Sequence, residues 1–514
     1  MRATKPTTML FRRATALVLI SGVFLGTLVF ALRRLEIQCI DGIYCRAVTR
    51  PEEGLNAYEH TDSARVGDKV PAPVPVKTSN HALSNISAAL ERPGSPNSTP
   101  ESECAQFPNT SKILLVMKTG ASEAFSKIPT QILTNLKCLP EFLIFSDMEQ
   151  EIAGYKIHDS LDQVLMSAKM GNADFKIYYR QRQCAVDQDN CNKDSDVAQE
   201  GWDLDKYKNI HIAEKAFGLR PNYDWYLFVD ADTYVVWPTM VQWLGKLDHT
   251  DQMYFGSLAY LNDFPFGHGG SGYVVSSAAM RNFFEGKHNV ANRWDEATVG
   301  ECCGDVMFAK AFKEATGIEV NNTWPTVNGE KPFTIPYSER EWCQPIVTMH
   351  HAGSEELSDL YGFERKRNFA FPMRIKDLYH EFVEPQLVPI RPDWDNMSDD
   401  VLYLNTSSAI FDVDRQLSKA KTQDLSDLEK TAHLSFEKCR AACQAHKECL
   451  QCRFHQGICG FGRSIIHGHP KPKEVDVVNK WMSAWDVDKI HAWVQKHDSC
   501  DDKIDWPLVQ TQPT

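Results

Sequence analysis

The stretch "WYLFVDADTYVVW", Trp225 to Trp237, decides how this chain is read. Trp225, Tyr226, Leu227, Phe228 and Val229 form one apolar run, and Tyr234, Val235 and Val236 form another. Aromatic and β-branched side chains suit a pleated, packed surface, so the run predicts a buried strand. Asp230 and Asp232 interrupt it. Burying an unpaired carboxylate costs several kcal/mol, on the order of a domain's whole net stability. Something must hold these charges. In a strand, residues i and i+2 point to the same side. At the carboxyl end of a strand in an open α/β sheet, both carboxylates face the crevice where ligands bind. They repel each other unless a cation lies between or near them. A hard divalent ion, Mn²⁺ or Mg²⁺, that bridges substrate phosphates is the natural one. The alternative is a strand that ends in a turn, with Asp230 capping and Asp232 solvated.

Similar runs lie on either side. "KILLVMKTG" (Lys112–Gly120) and "EFLIFSD" (Glu141–Asp147) read as buried strands, with helical spacing between them. "LDKYKNIHIAEKAFGLR" (Leu204–Arg220) places Tyr207, Ile210, Ala213 and Phe217 on one helical face, with Gly218 suited to a cap. "QMYFGSLAYL" and "SGYVVSSAAM" are further strand candidates. Strands alternating with helices predict a mostly parallel sheet covered on both faces.

The totals are those of a multi-domain globular chain. The 514 residues are 43% hydrophobic and 24% charged, with 68 acidic against 55 basic residues and a net charge of −13. No basic block would follow a phosphate backbone, which argues against nucleic acid as a partner. From Ala14 to Leu32 runs an uncharged apolar segment preceded by Arg2, Lys5, Arg12 and Arg13. It predicts a transmembrane helix with a cytosolic N-terminus and a lumenal remainder. A cleaved signal peptide is the rival, but Arg33 and Arg34 follow at once. Fifteen cysteines, five of them crowded between Cys439 and Cys459, suit disulfides in an oxidising compartment better than zinc, for which no paired His supplies the spacing. The odd total leaves a thiol unpaired or joined to another chain, with Cys39 and Cys45 as candidates, and a homodimer is an admitted state. Asn85, Asn97, Asn109, Asn321, Asn396 and Asn405 begin glycosylation sequons.

Several segments together resemble glycosyltransferase family 31, the Fringe and core 1 β1,3-galactosyltransferase group. "DWYLFVDADTYVVW" is similar to its metal-binding strand. "YFGSLAYLNDFPFGHGGSGYVVSSAAM", "ECCGDVMFAKAF" and "VTMHHAGSEEL" then follow in the family's order, the second most like fungal members, and "GWDLDKYK" upstream also fits. The resemblance covers about Lys112 to Asn368 and departs at Ala231, where many members carry a third Asp. It implies a GT-A-like, Rossmann-like mixed sheet flanked by helices. It also implies transfer of a hexose from a UDP-sugar to a glycan or glycoprotein hydroxyl, with inversion and a β1,3 linkage. Asp230, Asp232 and His350 would hold Mn²⁺ or Mg²⁺, with His351 one register step away. Asp305 would be the base that takes the acceptor's proton, with Glu296 and Glu301 as rivals. Lys118, Thr119, Asp147, Lys206, Asp230 and Gly270 would contact the nucleotide donor. Lys206 could equally be a solvated lysine on an amphipathic helix. Gly269, Gly270 and Gly272 would let backbone approach a ligand closely.

The expected organisation is a cytosolic tail (1–13), a membrane anchor (14–32), a Pro- and Ser-rich stem (33–107), the transferase domain (108–385), a linker (386–424) and a cysteine-rich module (425–514). The last resembles an apple or PAN module by its Cys-X3-Cys helix, Cys439 and Cys443, and by Cys452 and Cys459. The expected location is the Golgi membrane. Rival functions are a non-catalytic lumenal glycan-binding scaffold and a lumenal metal-dependent hydrolase.

Overall fold

The computed structural model describes residues 35–40, 44–49, 103–184, 187–405, 413–476 and 480–507. The chain divides into two units, residues 1–39 with 45–105, and residues 40–44 with 106–514. Leu35–Ile40 and Tyr44–Thr49 are short strands near the N-terminus. The second unit carries everything that follows.

Its centre is an eight-stranded mixed sheet. The strands are β1 (Ile113–Lys118), β2 (Phe142–Ser146), β3 (Gln150–Ile152), β4 (Tyr155–Asp159), β5 (Trp225–Asp230), β6 (Tyr254–Gly256), β7 (Tyr273–Ser276) and β8 (Asn321–Asn322), in the spatial order 8-6-7-5-1-2-4-3. β5, β1, β2 and β4 run parallel, and β7 lies antiparallel to β5. The expected strands at 112–120 and 141–147 are present, whereas the one expected over 225–237 ends at Asp230, and Trp237 already opens a helix. Alternation then sorts the side chains. Leu114 and Val116 share one face with Tyr226 and Phe228, packed by α3 (Lys208–Leu219), α5 (Ser277–Phe284) and α6 (Gly304–Thr316). Ile113, Leu115 and Met117 share the other with Trp225, Leu227 and Val229, packed by α1 (Ala124–Leu133) and α4 (Trp237–Leu244). α2 (Val197–Asp205) leads into α3. The helix expected over 204–220 therefore starts at Lys208, and Gly218 lies inside it, with Arg220 as the cap residue.

The expected transmembrane helix is corrected. Among the described residues no helix is long and apolar enough to cross a membrane. The longest, α6 and α7 (Ser354–Lys366), have 13 residues each. At about 1.5 Å rise per residue they reach roughly 20 Å, short of a bilayer core of about 30 Å. Segment 14–32 lies outside the described residues. The fold is accordingly a mixed α/β one built on a large mixed sheet, and the Golgi-membrane placement, which rested on the anchor, is withdrawn with it.

The cysteine-rich end is a five-stranded antiparallel sheet, ordered Ile390–Pro392, Met482–Trp485, Gln451–His455, Ile458–Gly462 and Val401–Tyr403. Gln456 and Gly457 both have positive φ, as a two-residue hairpin turn requires. Helix α8 (Phe436–Ala445) is stapled by Cys439–Cys459 and Cys443–Cys449, while Cys452 is a buried free thiol. Cys184–Cys191, Cys302–Cys303 and Cys343–Cys500 are further disulfides. This end packs into the larger part. Leu450, Ile465, Trp485, Ile490 and Val494 share one core with Tyr337, Trp342, Ile375 and Tyr379. The Asn396 sequon is internal: its amide donates to the carbonyls of Cys452 (3.1 Å) and Ala484 (3.3 Å). Asn85 and Asn97 lie outside the described residues.

Glu364 on α7 is 2% exposed and accepts a 2.5 Å hydrogen bond from the Tyr234 hydroxyl. Burial pushes its carboxyl from an ordinary 4.5 up to about 8, against the pull of Tyr234 and Arg367. Between those values the unfolded chain has lost a proton that the folded chain keeps. Stability therefore falls as pH rises through that window, by about 1.4 kcal/mol per pH unit for one proton. Glu364→Gln should flatten the slope between pH 4.5 and 8, checked by urea unfolding at stepped pH.

Candidate functional site

The site forms where β1 and β5 end side by side, with Lys118 the register partner of Asp230. Beyond β5 the chain turns at 231–233, then Tyr234–Val235 pairs antiparallel with Thr348–Met349. That short ladder delivers His350 to Asp232: the His350 Nε2 lies 3.1 Å from the Asp232 Oδ1. α1 secures the turn from behind. The buried Gln131 amide donates to the carbonyls of Ala231 (2.7 Å) and Thr233 (3.1 Å). Four residues earlier on the same helix face, Lys127 reaches Asp232 Oδ2 at 3.2 Å. Ala231 is 1% exposed and belongs to the core.

Asp232, His350 and His351 each offer a ligand atom, all within 4.8 Å of one another. A carboxylate and two imidazoles form a reasonable donor set for Mn²⁺. The buried His350 Nδ1 has no hydrogen-bond partner, so it is a group in search of one. His351 holds a left-handed backbone, φ +60°, and its ring lies 3.8 Å from that of His350. Burial, helped by His350, pushes the His351 pKa down to about 4, and burial takes the adjacent His268 to about 3. Neutral rings are what a cation needs. For Asp232, burial alone would raise the pKa, but His350 and Lys127 outweigh it and hold the group ionised. These residues fit a divalent metal. Asp230 is turned elsewhere, 3.3 Å from Lys118. Burial and its acidic neighbours raise its pKa against the pull of Lys118.

A cleft of about 500 Å³ opens beside this corner, lined by Lys118, Thr119, Gly120, Lys127, Asp205, Lys208, Asp230 and Asp232 among others. Lys118 is clamped between Asp205 and Asp230, whose charges overcome the cost of burial and raise its pKa. Lys208 spans Asp147 (3.3 Å) and Asp205 (3.4 Å) and donates to the Thr119 carbonyl at 3.1 Å. Lys118 and Thr119 thus line the cleft as expected. Asp147 instead lies buried behind it, accepting from the Ala121 N–H at 2.8 Å. Lys206 pairs with Asp174 at 2.8 Å and does not line the cleft. Sequence reading passed over Lys127, Asp205 and Lys208. The i, i+3 spacing of Asp205 and Lys208 was the available signal.

Asp305 sits in the first turn of α6, after Cys302–Cys303. It is half-buried. The Gly269 N–H donates to Oδ2 and the Val306 N–H to Oδ1, both at 2.8 Å. Burial raises its pKa to about 6 in spite of these bonds and of Lys118. The rivals are placed less well: Glu296 is exposed, and Glu301 pairs with Lys310 at 3.0 Å. The glycines have steric roles. A Cβ on Gly269 would stand 3.3 Å from Asp305, and one on Gly270 would fall 2.1 Å from the His350 ring. The Gly270 carbonyl accepts from the Thr233 hydroxyl at 2.7 Å. Gly272 has φ +87°, which only glycine adopts freely. Comparison of the sequence with models of known protein families gives no match.

Gly270→Ala tests the packing of the candidate metal corner. The added methyl must displace His350, so Mn²⁺ affinity measured by titration calorimetry should fall by about tenfold or more, with the fold retained by circular dichroism.

Proposed function

We propose that this chain is an inverting glycosyltransferase that uses Mn²⁺ or Mg²⁺ to move a hexose from a UDP-sugar to a hydroxyl of a glycan or glycoprotein. The family 31 resemblance makes a β1,3 linkage the expected product. One observation carries the reading: a compact carboxylate–imidazole set, Asp232, His350 and His351, stands at the corner of a lysine-lined cleft. The charge balance of that cleft supports it. Lys118, Lys127 and Lys208 face Glu123, Asp205, Asp230 and Asp232, so the lysines are already neutralised. A diphosphate entering alone would meet excess negative charge, whereas one paired with a divalent cation would not.

When bound, the ion supplies positive charge against the negative charge that grows on a departing diphosphate. Lys118 and Lys127 add ammonium donors for the phosphate oxygens, while Lys208 is held by Asp147, Asp205 and the Thr119 carbonyl. Asp305 accepts the proton of the acceptor hydroxyl as its oxygen bonds to the anomeric carbon and the bond to the diphosphate breaks. Attack on the face opposite the leaving group inverts the anomeric centre, and UDP departs. The Gly269 and Val306 N–H groups fix both carboxylate oxygens of Asp305. Its pKa, near 6, suits a base that works near neutrality.

A screen of UDP-sugars with Mn²⁺, read by UDP release and by thermal stabilisation, tests the reading. Asp232→Ala should take turnover with the best donor to background while leaving the protein folded. A folded wild-type chain that neither binds nor turns over any UDP-sugar would overturn the proposal.

Asp305→Asn should lower kcat by about 10²–10⁴-fold with donor affinity kept. Only the ionised carboxylate accepts a proton, and its share grows as pH rises through the pKa. Wild-type kcat/KM should therefore climb tenfold per unit below about pH 6 and level off above it. A flat profile would exclude Asp305 as the base.

A further inference from the structure

The cleft has a second chemistry on its far wall. Val197, Ala198, Gly201, Trp202 and Asp205 of α2 line it, at the three- and four-residue spacing that keeps side chains on one face of a helix. Asp205 holds Lys118 and Lys208. The other four are uncharged, and the Trp202 indole is 46% exposed. A Cβ on Gly201, the residue before Trp202, would meet nothing within 4 Å apart from its chain neighbours and its own helix backbone. A large aromatic surface left in water forgoes the gain of burial, unless a ligand covers it. One cleft thus joins a wall that can hold phosphate to a wall that can hold a flat ring.

We propose that Trp202 is the platform on which the nucleobase of the donor stacks, with α2 as the wall that receives the nucleoside. This rests on the transferase reading above. A nucleoside diphosphate is the ligand class with a charged part and a planar part that match the two walls. Stacking on an aromatic ring tolerates any base, so Trp202 supplies affinity and not base identity.

The test is titration calorimetry of the full chain with two probes, Mn²⁺–UDP and Mn²⁺–pyrophosphate. Trp202→Ala should weaken UDP by about tenfold to a hundredfold, leave pyrophosphate unchanged, and be largely rescued in Trp202→Phe. UDP binding equal to wild type in Trp202→Ala overturns the proposal. So does an equal loss for both probes, which would mean that Trp202 only shapes the cleft. If the wild type binds neither probe, the transferase reading falls and takes this proposal with it. If the wild type binds both and Trp202→Ala does too, only the stacking role falls.

Discussion

The pairing of carboxylates with lysine ammonium groups at the end of β5 and β1 governs this molecule. Asp205 and Asp230 enclose Lys118, Asp147 and Asp205 enclose Lys208, and Glu123 and Asp232 enclose Lys127. Lys208 and Asp147 lie deepest, and there an unpaired charge would be costly. Each lysine also fixes a structural element: Lys118 closes β1 against β5, Lys208 joins α3 to the loop after β1, and Lys127 ties α1 to the turn after β5. The strand ends are therefore rigid before any ligand arrives. Removal of one member leaves an uncompensated charge in the cleft wall, so these residues bear on stability as well as on binding.

The same network explains why Asp232 and not Asp230 sits with the histidines. Lys118 is the register neighbour of Asp230 and draws it toward β1. The backbone then turns, and Asp232 emerges where His350 arrives from the Thr348–Met349 strand. Gly270 lets the imidazole lie against the main chain. Two carboxylates spaced as a pair in sequence thus divide into a structural one and one free to serve as a ligand.

Much of this was legible in the amino-acid order. Apolar runs ending at Lys118, Ser146 and Asp230 marked three sheet strands, because side chains buried on both faces leave unbroken hydrophobic stretches. The approach of Asp232 and His350 followed from the resemblance, not from spacing, since no local rule joins residues so far apart. Lys206 was singled out where Lys208 reaches the cleft. The difference is one of helical phase: α3 begins at Lys208, and α6 packs so close that a Cβ on Gly304 would fall 2.7 Å from Asn209. Such tertiary contacts decide which lysine turns inward, and they leave no trace in a short motif. The anchor read from hydropathy at 14–32 has no counterpart among the described helices.

The core shared by Tyr337, Trp342 and Tyr379 with Ile465, Trp485 and Val494 has a consequence for biosynthesis. A ribosome delivers the main sheet before the residues that roof this core. Until those later residues emerge, the aromatic floor around Trp342 stays uncovered, and Cys343 waits for Cys500, which follows 157 positions later. Closure of this core therefore waits on residues far along the chain from the floor they cover, and loss of Ile465, Trp485, Val494 and Cys500 would leave an exposed apolar floor, not a smaller folded protein.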